Sequence, residues 1–228
     1  HSQGAPFLKE THLLKRGDAN QKVRVVEQGF LQVLSTPGTP ANRWQSIVPD
    51  GAKFSGRRTA LANWITDTRS GAGSLAARVM VNRIWQHHFG RGIVATPNDF
   101  GRTGTQPSHP ELLEWLAGEL IRKEGSLKAI HRTILTSAAY QQSSKPTQAS
   151  LEKDPENTLL TRYPVRRLEA EIVRDAALKV SGTLDPRPFG PGTLDEGSPR
   201  RSVYFTVKRS RLIPCLLYTS PSPRDQRG

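Results

Sequence analysis

The stretch that decides the fold is residues 74–109, SLAARVMVNRIWQHHFGRGIVATPNDFGRTGTQPSH. In its first half, apolar side chains cover most of a helical circumference, which predicts a buried helix from Leu75 to Phe89. Ser74 is placed to cap the start of this helix, and Gly90 is placed to end it. The second half has no clear periodicity, which predicts a long ordered loop, and such loops are often functional.

The predicted buried helix carries several polar side chains. Buried polar groups need hydrogen-bond partners, so we expect Arg78, Asn82, Arg83 and Asp99 to form a network and to be more buried than is usual for their types. The expected partners are loop carbonyls and the carboxylates of Asp99, Glu111 or a later helix. Alternatively, the arginines clamp a bound anion.

Further helices are predicted on both sides of this stretch. One starts near Arg57, and the segment from Ser108 to about Glu124 reads as a helix with a capping box formed by Ser108 and Glu111. Another follows Ser126. Residues 143–157 look like a polar linker. The short apolar pieces at residues 11–17 and 22–26 are predicted to be edge strands or extended arms, and residues 202–208 alternate as a strand does. The predicted fold class is mainly α: an irregular multi-helix domain with long ordered loops and a few short peripheral strands.

A fifth helix is predicted from Val165 to Val180. Its inward side chains are expected to be Leu168, Ile172, Ala176 and Val180. Its polar face carries Arg167, Glu171, Arg174 and Asp175. These charges either stabilise an exposed face through pairs three and four residues apart, or form salt bridges to Arg78 or Arg83.

Four residues are candidates for acid–base catalysis: His87, Asp99, His109 and Glu111. Together with His88 they are also ligand types for zinc or iron. Their spacing matches no known metal motif, and we therefore predict no metal site. The sequence also has no GxSxG and no CxxCH, so neither a serine hydrolase elbow nor covalent haem attachment is expected in this chain.

The composition limits the class of protein. The chain has 228 residues, a formal charge of +13 and 35% hydrophobic residues, enough for one domain with flanking arms. No apolar run approaches the roughly 20 residues of a membrane helix, so no transmembrane segment is predicted. The basic residues are dispersed, and no run of five like charges occurs, which argues against nucleic acid as a partner.

Both ends of the sequence are unusual. The chain begins at His1 and its only methionine is Met80, so we expect a fragment of a longer product. The string CLLYTSPSPRD at residues 215–225 reads like a translated sequencing adaptor, and residues 215–228 are therefore expected to be a non-native tail. A Ser/Pro-rich disordered tail is the alternative.

Several blocks resemble the planctomycete PSD-type domain of unknown function, in the same order along the chain. They are LAARVMVNRIWQHHFGRGIVATPNDFGRTGTQPSHPELLEWLAGEL, SLKAIHRTILTSAAYQQSS, DPEN, RRLEAEIVRDAAL and RRSVYFTVKRS. The resemblance implies a domain over residues 57–214, preceded by a connector or arm over residues 1–56.

This resemblance also implies an exported, periplasmic or extracytoplasmic multidomain parent protein that often carries a cytochrome c domain. Haem is then expected only in that separate domain, with no cofactor in this fragment. The implied partners are upstream domains of the same polypeptide, or a polymeric or protein partner. No catalytic residues transfer from the family. We expect an interaction or scaffold domain; the alternative is a hydrolase or redox-coupled enzyme domain that acts on a polymer, with a polar site around residues 87–111.

Overall fold

The computed structural model describes residues 10–49, 52 and 54–208, and the predicted tail at 215–228 lies outside them. The fold is mainly α, as predicted. Its α-helices are α1 (Arg57–Thr66), α2 (Gly73–Phe89), α3 (Pro110–Arg122), α4 (Leu127–Leu135), α5 (Ala138–Gln141), α6 (Gln148–Lys153) and α7 (Ala170–Val180). The chain divides into two units between Pro164 and Val165. The domain bounds predicted at 56 and 214 stay predictions.

Helix α2 is the central element of the first unit. Val81, Ile84, Trp85 and Phe89 are buried in a core shared with α3 and α4. The helix ends at Gly90, as predicted, where a φ of 82° favours glycine. The predicted Ser74 cap is wrong, because the helix begins at Gly73 and the Ser74 hydroxyl donates to the Thr68 carbonyl. One stripe of α2 is exposed and contains Met80, Arg83 and His87.

Helices α3 and α4 complete this core. Leu113, Leu116 and Leu120 of α3 are buried, as are Ile130 and Ile134 of α4. The predicted capping box is wrong: His109 is the N-cap of α3, and no side chain caps that helix. Ser126 is the N-cap of α4, but its side chain makes no capping hydrogen bond.

The segment before α1 forms a second, smaller core. Its two predicted short strands are confirmed as β1 (His12–Leu14) and β2 (Lys22–Val25), which pair antiparallel. Trp44 packs with Trp64 of α1 and with Ala72, and the Trp64 indole donates to Ser35 Oγ over 3.0 Å. The segment is therefore anchored on α1.

Asp67 joins these elements where α1 ends. Its carboxylate accepts hydrogen bonds from the Ser70 N–H at 3.0 Å, the Trp44 indole at 2.9 Å and the Arg69 N–H at 2.9 Å. The bonds from Ser70 and Trp44 lower the pKa of Asp67 from 3.8 to about 2.

The predicted linker at 143–157 contains ordered structure. Helix α6 starts with a capping box formed by Thr147 and Ser150. The buried Asp154 carboxylate accepts the N–H groups of Thr158 at 2.7 Å and Leu159 at 2.9 Å. Hydrogen bonds to its own backbone therefore stabilise this polar segment.

The second unit contains α7, which is shorter than predicted. The predicted inward residues Leu168, Ile172, Ala176 and Val180 are exposed, and the buried residue is Ala170. The helix packs through its polar face instead, because Arg174 and Asp175 form hydrogen bonds with the loop that follows. The strand predicted at 202–208 is also wrong: Ser202–Tyr204 is a 3₁₀ turn, and Phe205 makes an isolated bridge to Thr193.

Asp67 predicts a specific pH dependence of stability. Its pKa is lower in the folded chain, so its contribution is complete above pH 3.8 and is lost as the pH falls towards 2. We expect Asp67→Asn to lower the free energy of unfolding at pH 7 and to flatten its pH dependence in this window. Urea unfolding at several pH values measures both effects.

Glu27→Gln is the control, because it removes an exposed carboxylate from the same unit. An equal flattening in both variants, or in neither, would contradict the role assigned to Asp67.

Candidate functional site

The side chain of Asn82 fixes the loop that follows α2. It is fully buried; its Nδ2 donates to the Val94 carbonyl over 3.0 Å, and its Oδ1 accepts the Val94 N–H over 2.8 Å. The amide thus binds both backbone polar groups of one loop residue, as a neighbouring β-strand does. The predicted burial of Asn82 is confirmed.

Residues 93–108 form a compact loop whose ends meet, and we call it the Ω-loop. Ser108 N–H donates to the Ile93 carbonyl over 2.9 Å, which closes the loop at its base. Inside the loop, Thr96 Oγ1 donates to the Asp99 carbonyl at 2.8 Å and accepts the Thr105 N–H at 3.0 Å. The loop is therefore ordered without regular secondary structure.

The carboxylate of Asp99 forms hydrogen bonds within this loop. It accepts the Thr103 hydroxyl at 2.7 Å and the Gly101 N–H at 2.8 Å. These two hydrogen bonds hold the pKa of Asp99 below its ordinary value. At neutral pH the group is an ionised turn former, which makes it a poor general acid. Asp99 is half-buried.

The two arginines of α2 have separate partners. Arg78 donates two hydrogen bonds, both 2.6 Å long, to the carboxylate of Glu114 on α3, and this pairing lowers the pKa of Glu114. The expected partners Asp99 and Glu111 are therefore wrong for Arg78, whereas a salt bridge from α7 stays a prediction. Arg83 is exposed, contrary to the burial expected, because it lies on the solvent stripe of α2; its Nη2 donates to Asn98 Oδ1 at 2.8 Å.

The remaining candidate acid–base residues are dispersed. His87 is exposed on α2, and Glu111 is exposed in the first turn of α3. His109 is half-buried, and its Nδ1 lies 3.0 Å from Ser108 Oγ. Among the described residues, no three His, Cys, Asp or Glu side chains are grouped so that they could hold a metal ion.

The polar face of α7 forms a network within the second unit. Arg174 donates to the backbone carbonyls of Arg200 and Ser198, and its guanidinium lies 4.6 Å from the centre of the Phe205 ring. Asp175 accepts both the N–H and the hydroxyl of Ser202 at 2.7 Å. Burial by itself would raise the pKa of Asp175, but the hydrogen bonds from Ser202 outweigh it and hold this pKa below its ordinary value. Arg167 and Glu171 are exposed.

A cleft of about 170 Å³ lies at the base of the Ω-loop. Trp85, Phe89 and Ile93 contribute apolar lining, and Gln106, His109 and Thr158 contribute polar lining. Of the four candidate catalytic residues, His109 alone lines it. The cleft therefore does not gather His87, Asp99 and His109, the arrangement that would favour acid–base chemistry.

Sequence reasoning missed several contacts of this region. His88 Nε2 lies 2.8 Å from His131 Nδ1, and the His88 carbonyl accepts the Tyr163 hydroxyl at 3.0 Å. The lining of the cleft by residues 156–160 was also missed, because it joins segments about fifty residues apart. The one local signal was Asp154-Pro155 followed by Asn157, a combination typical of a tight turn.

These features define an α-helical domain with an ordered Ω-loop and a small cleft. The chain belongs to the PSD1 family of proteins of unknown function (DUF1553), which it matches over residues 57–226. That range overlaps residues 215–228, for which the non-native origin stays a prediction. No curated protein and no solved structure matches the chain. No helix among the described residues has both the length and the apolar character needed to cross a membrane.

The Asn82 contact predicts a large loss of stability on truncation. Asn82→Ala leaves the buried N–H and C=O of Val94 without partners, so we expect a loss of about 2 to 5 kcal/mol in the free energy of unfolding. Chemical denaturation measures it. His87→Ala is the control on the exposed stripe, with an expected change below about 0.5 kcal/mol. Similar losses of unfolding free energy in the two variants would show that the Asn82 contact contributes no more to stability than an exposed side chain does.

Gly92 gives a second test of the same contact. A Cβ atom at this position would lie 2.6 Å from the Val94 carbonyl oxygen and 2.7 Å from Asn82 Nδ2. We expect Gly92→Ala to destabilise the chain by about 1 to 3 kcal/mol through overpacking.

Gly118→Ala is the matched control, because a Cβ atom there, inside α3, meets nothing within 4 Å. That substitution should instead stabilise the chain by about 0.5 to 1 kcal/mol. A neutral Gly92→Ala would contradict the tight approach of the loop to Asn82.

Proposed function

We propose that this domain is a binding module of a larger exported protein, and that it presents the Ω-loop and the adjoining cleft to a partner. The observation that carries the proposal is the pairing of the buried Asn82 amide with both backbone groups of Val94. A loop held in one conformation loses little conformational entropy on binding, which favours recognition. Arg102 and Gln106 in this loop are exposed and available to a partner.

The separation of the acid–base candidates also supports a binding role. Asp99 is used by its own loop, and His87 and Glu111 are exposed outside the cleft lining. General acid–base catalysis needs positioned groups within hydrogen-bond reach of one reacting atom. A scaffold or interaction domain has no such requirement.

The partner belongs to the setting that the family resemblance implies. We propose an extracytoplasmic location and two kinds of partner: upstream domains of the same polypeptide, or a polymer or protein outside the cytoplasm. Any haem then belongs to a separate cytochrome c domain of the parent protein. The dispersed basic residues argue against nucleic acid as the partner.

An enzyme domain is the second candidate, because His109 and Glu156 line the same cleft. In this case His109 is the acid or base of a hydrolase that acts on a polymer. His109→Ala discriminates the two candidates: it abolishes polymer turnover if the domain is an enzyme, whereas a binding module has no turnover to lose.

Site-specific cross-linking in the full-length parent tests the binding role. A photoreactive residue replaces exposed Arg102 in the Ω-loop, and in a second variant it replaces exposed Arg132 on α4 as the matched control. We expect cross-links to a defined partner from position 102 and not from position 132. Adding Asn82→Ala should abolish them by releasing the loop. Equal labelling from both positions, or none from position 102, would contradict the proposal.

A further inference from the structure

The cleft at the base of the Ω-loop has the dimensions of a site for a single small ring. Its volume of about 170 Å³ is below the roughly 300–1,000 Å³ of pockets that hold drug-sized ligands, so it suits a smaller group. Its walls come from the end of α2, the two ends of the Ω-loop and residues 156–164. It is thus formed by segments that the fold itself holds in place.

Aromatic groups line the apolar part of this cleft. Trp85 and Phe89 are stacked with their ring centroids 4.1 Å apart, and both are buried. Tyr163 packs against Phe89 and donates to the His88 carbonyl, which restricts the position of the Phe89 ring. A ligand in the cleft therefore meets a rigid apolar surface.

Polar side chains line the rest. The Gln106 amide both donates and accepts hydrogen bonds, and so does the Thr158 hydroxyl. His109 uses Nδ1 to contact Ser108, so Nε2 is the ring nitrogen left for a ligand. A purely apolar ligand would displace water from these groups without replacing the hydrogen bonds that the water made.

The charges at the cleft balance. Arg91 Nη1 lies 3.9 Å from Glu156 Oε2, and both side chains are largely exposed. An anionic ligand would meet Glu156, and a cationic ligand would meet Arg91. The arrangement thus favours a neutral ligand that has an apolar face and several hydroxyl groups.

We propose that the cleft binds one neutral sugar ring, presented as a residue of a polysaccharide. This inference rests on the proposed binding function and names its ligand class. The C–H face of the ring lies against the aromatic wall, and its hydroxyl groups pair with Gln106, Thr158 and His109. Sugar hydroxyls both donate and accept, as do the lining groups, whereas a peptide backbone offers each N–H and C=O in one fixed direction.

Ligand-observed NMR with the whole chain tests this inference. The probes are methyl glycosides of neutral hexoses and of N-acetylglucosamine, with a glucuronic acid glycoside as the charged comparison and an uncharged tetrapeptide as the rival ligand. We expect saturation transfer from the protein to a neutral sugar and about tenfold weaker binding in Gln106→Ala, since a lost hydrogen bond of this kind accounts for about one decade in affinity.

Gln32→Ala is the matched control, an exposed glutamine in the segment before α1, and its affinity should equal that of the unaltered chain. Thr158→Val provides a second cleft variant of nearly equal volume, with a similar loss expected. Preference for the peptide or the charged sugar, or equal binding by Gln106→Ala and the unaltered chain, would overturn the inference.

The cross-links from position 102 separate this failure from failure of the proposed function. If no sugar binds and the cross-links persist, the domain is a binding module with another ligand class. If both are absent, the proposed function fails as well.

Discussion

One buried amide side chain organises the first unit. Asn82 lies in the apolar core, and its carboxamide hydrogen-bonds both backbone polar groups of Val94. A long loop cannot enter a core unless its backbone groups find partners there, because an unpaired buried peptide group costs free energy comparable to a lost hydrogen bond. This contact therefore allows Ile93 and Val94 to be core residues, although they belong to a loop.

The Ω-loop and the cleft both depend on that contact. With Val94 fixed, the Ile93 carbonyl is in place to receive Ser108, and the chain enters α3 directly from the closed loop. The salt bridge of Arg78 with Glu114 then joins the outer sides of α2 and α3. Trp85 and Phe89 lie on the same helix as Asn82 and form the apolar wall of the cleft. A polar contact inside the core thus positions the surface proposed to bind a partner.

The sequence predicted the features that depend on local patterns. Apolar periodicity located α2, α3 and α4, Gly90 marked the end of α2, and burial of Asn82 followed from its position on an apolar helix.

Predictions failed where a side chain had a stronger distant partner. Ser108, expected to cap α3, donates instead to the Ile93 carbonyl. The burial of Arg83 failed for a different reason, because this residue lies on the exposed stripe of α2. The α7 face was assigned from hydrophobicity, yet hydrogen bonds of Arg174 and Asp175 decide which face packs. The cleft joins segments far apart in sequence, and no local pattern encodes that.

Amide hydrogen exchange at Val94 tests the central contact most directly. If the Asn82 carboxamide holds this residue in the core, the Val94 N–H exchanges as slowly as the N–H groups of Ile84 and Trp85 inside α2, although Val94 belongs to a loop. Exchange at Val94 as fast as at exposed Arg102 would show that the N–H is open to water, and it would contradict the account.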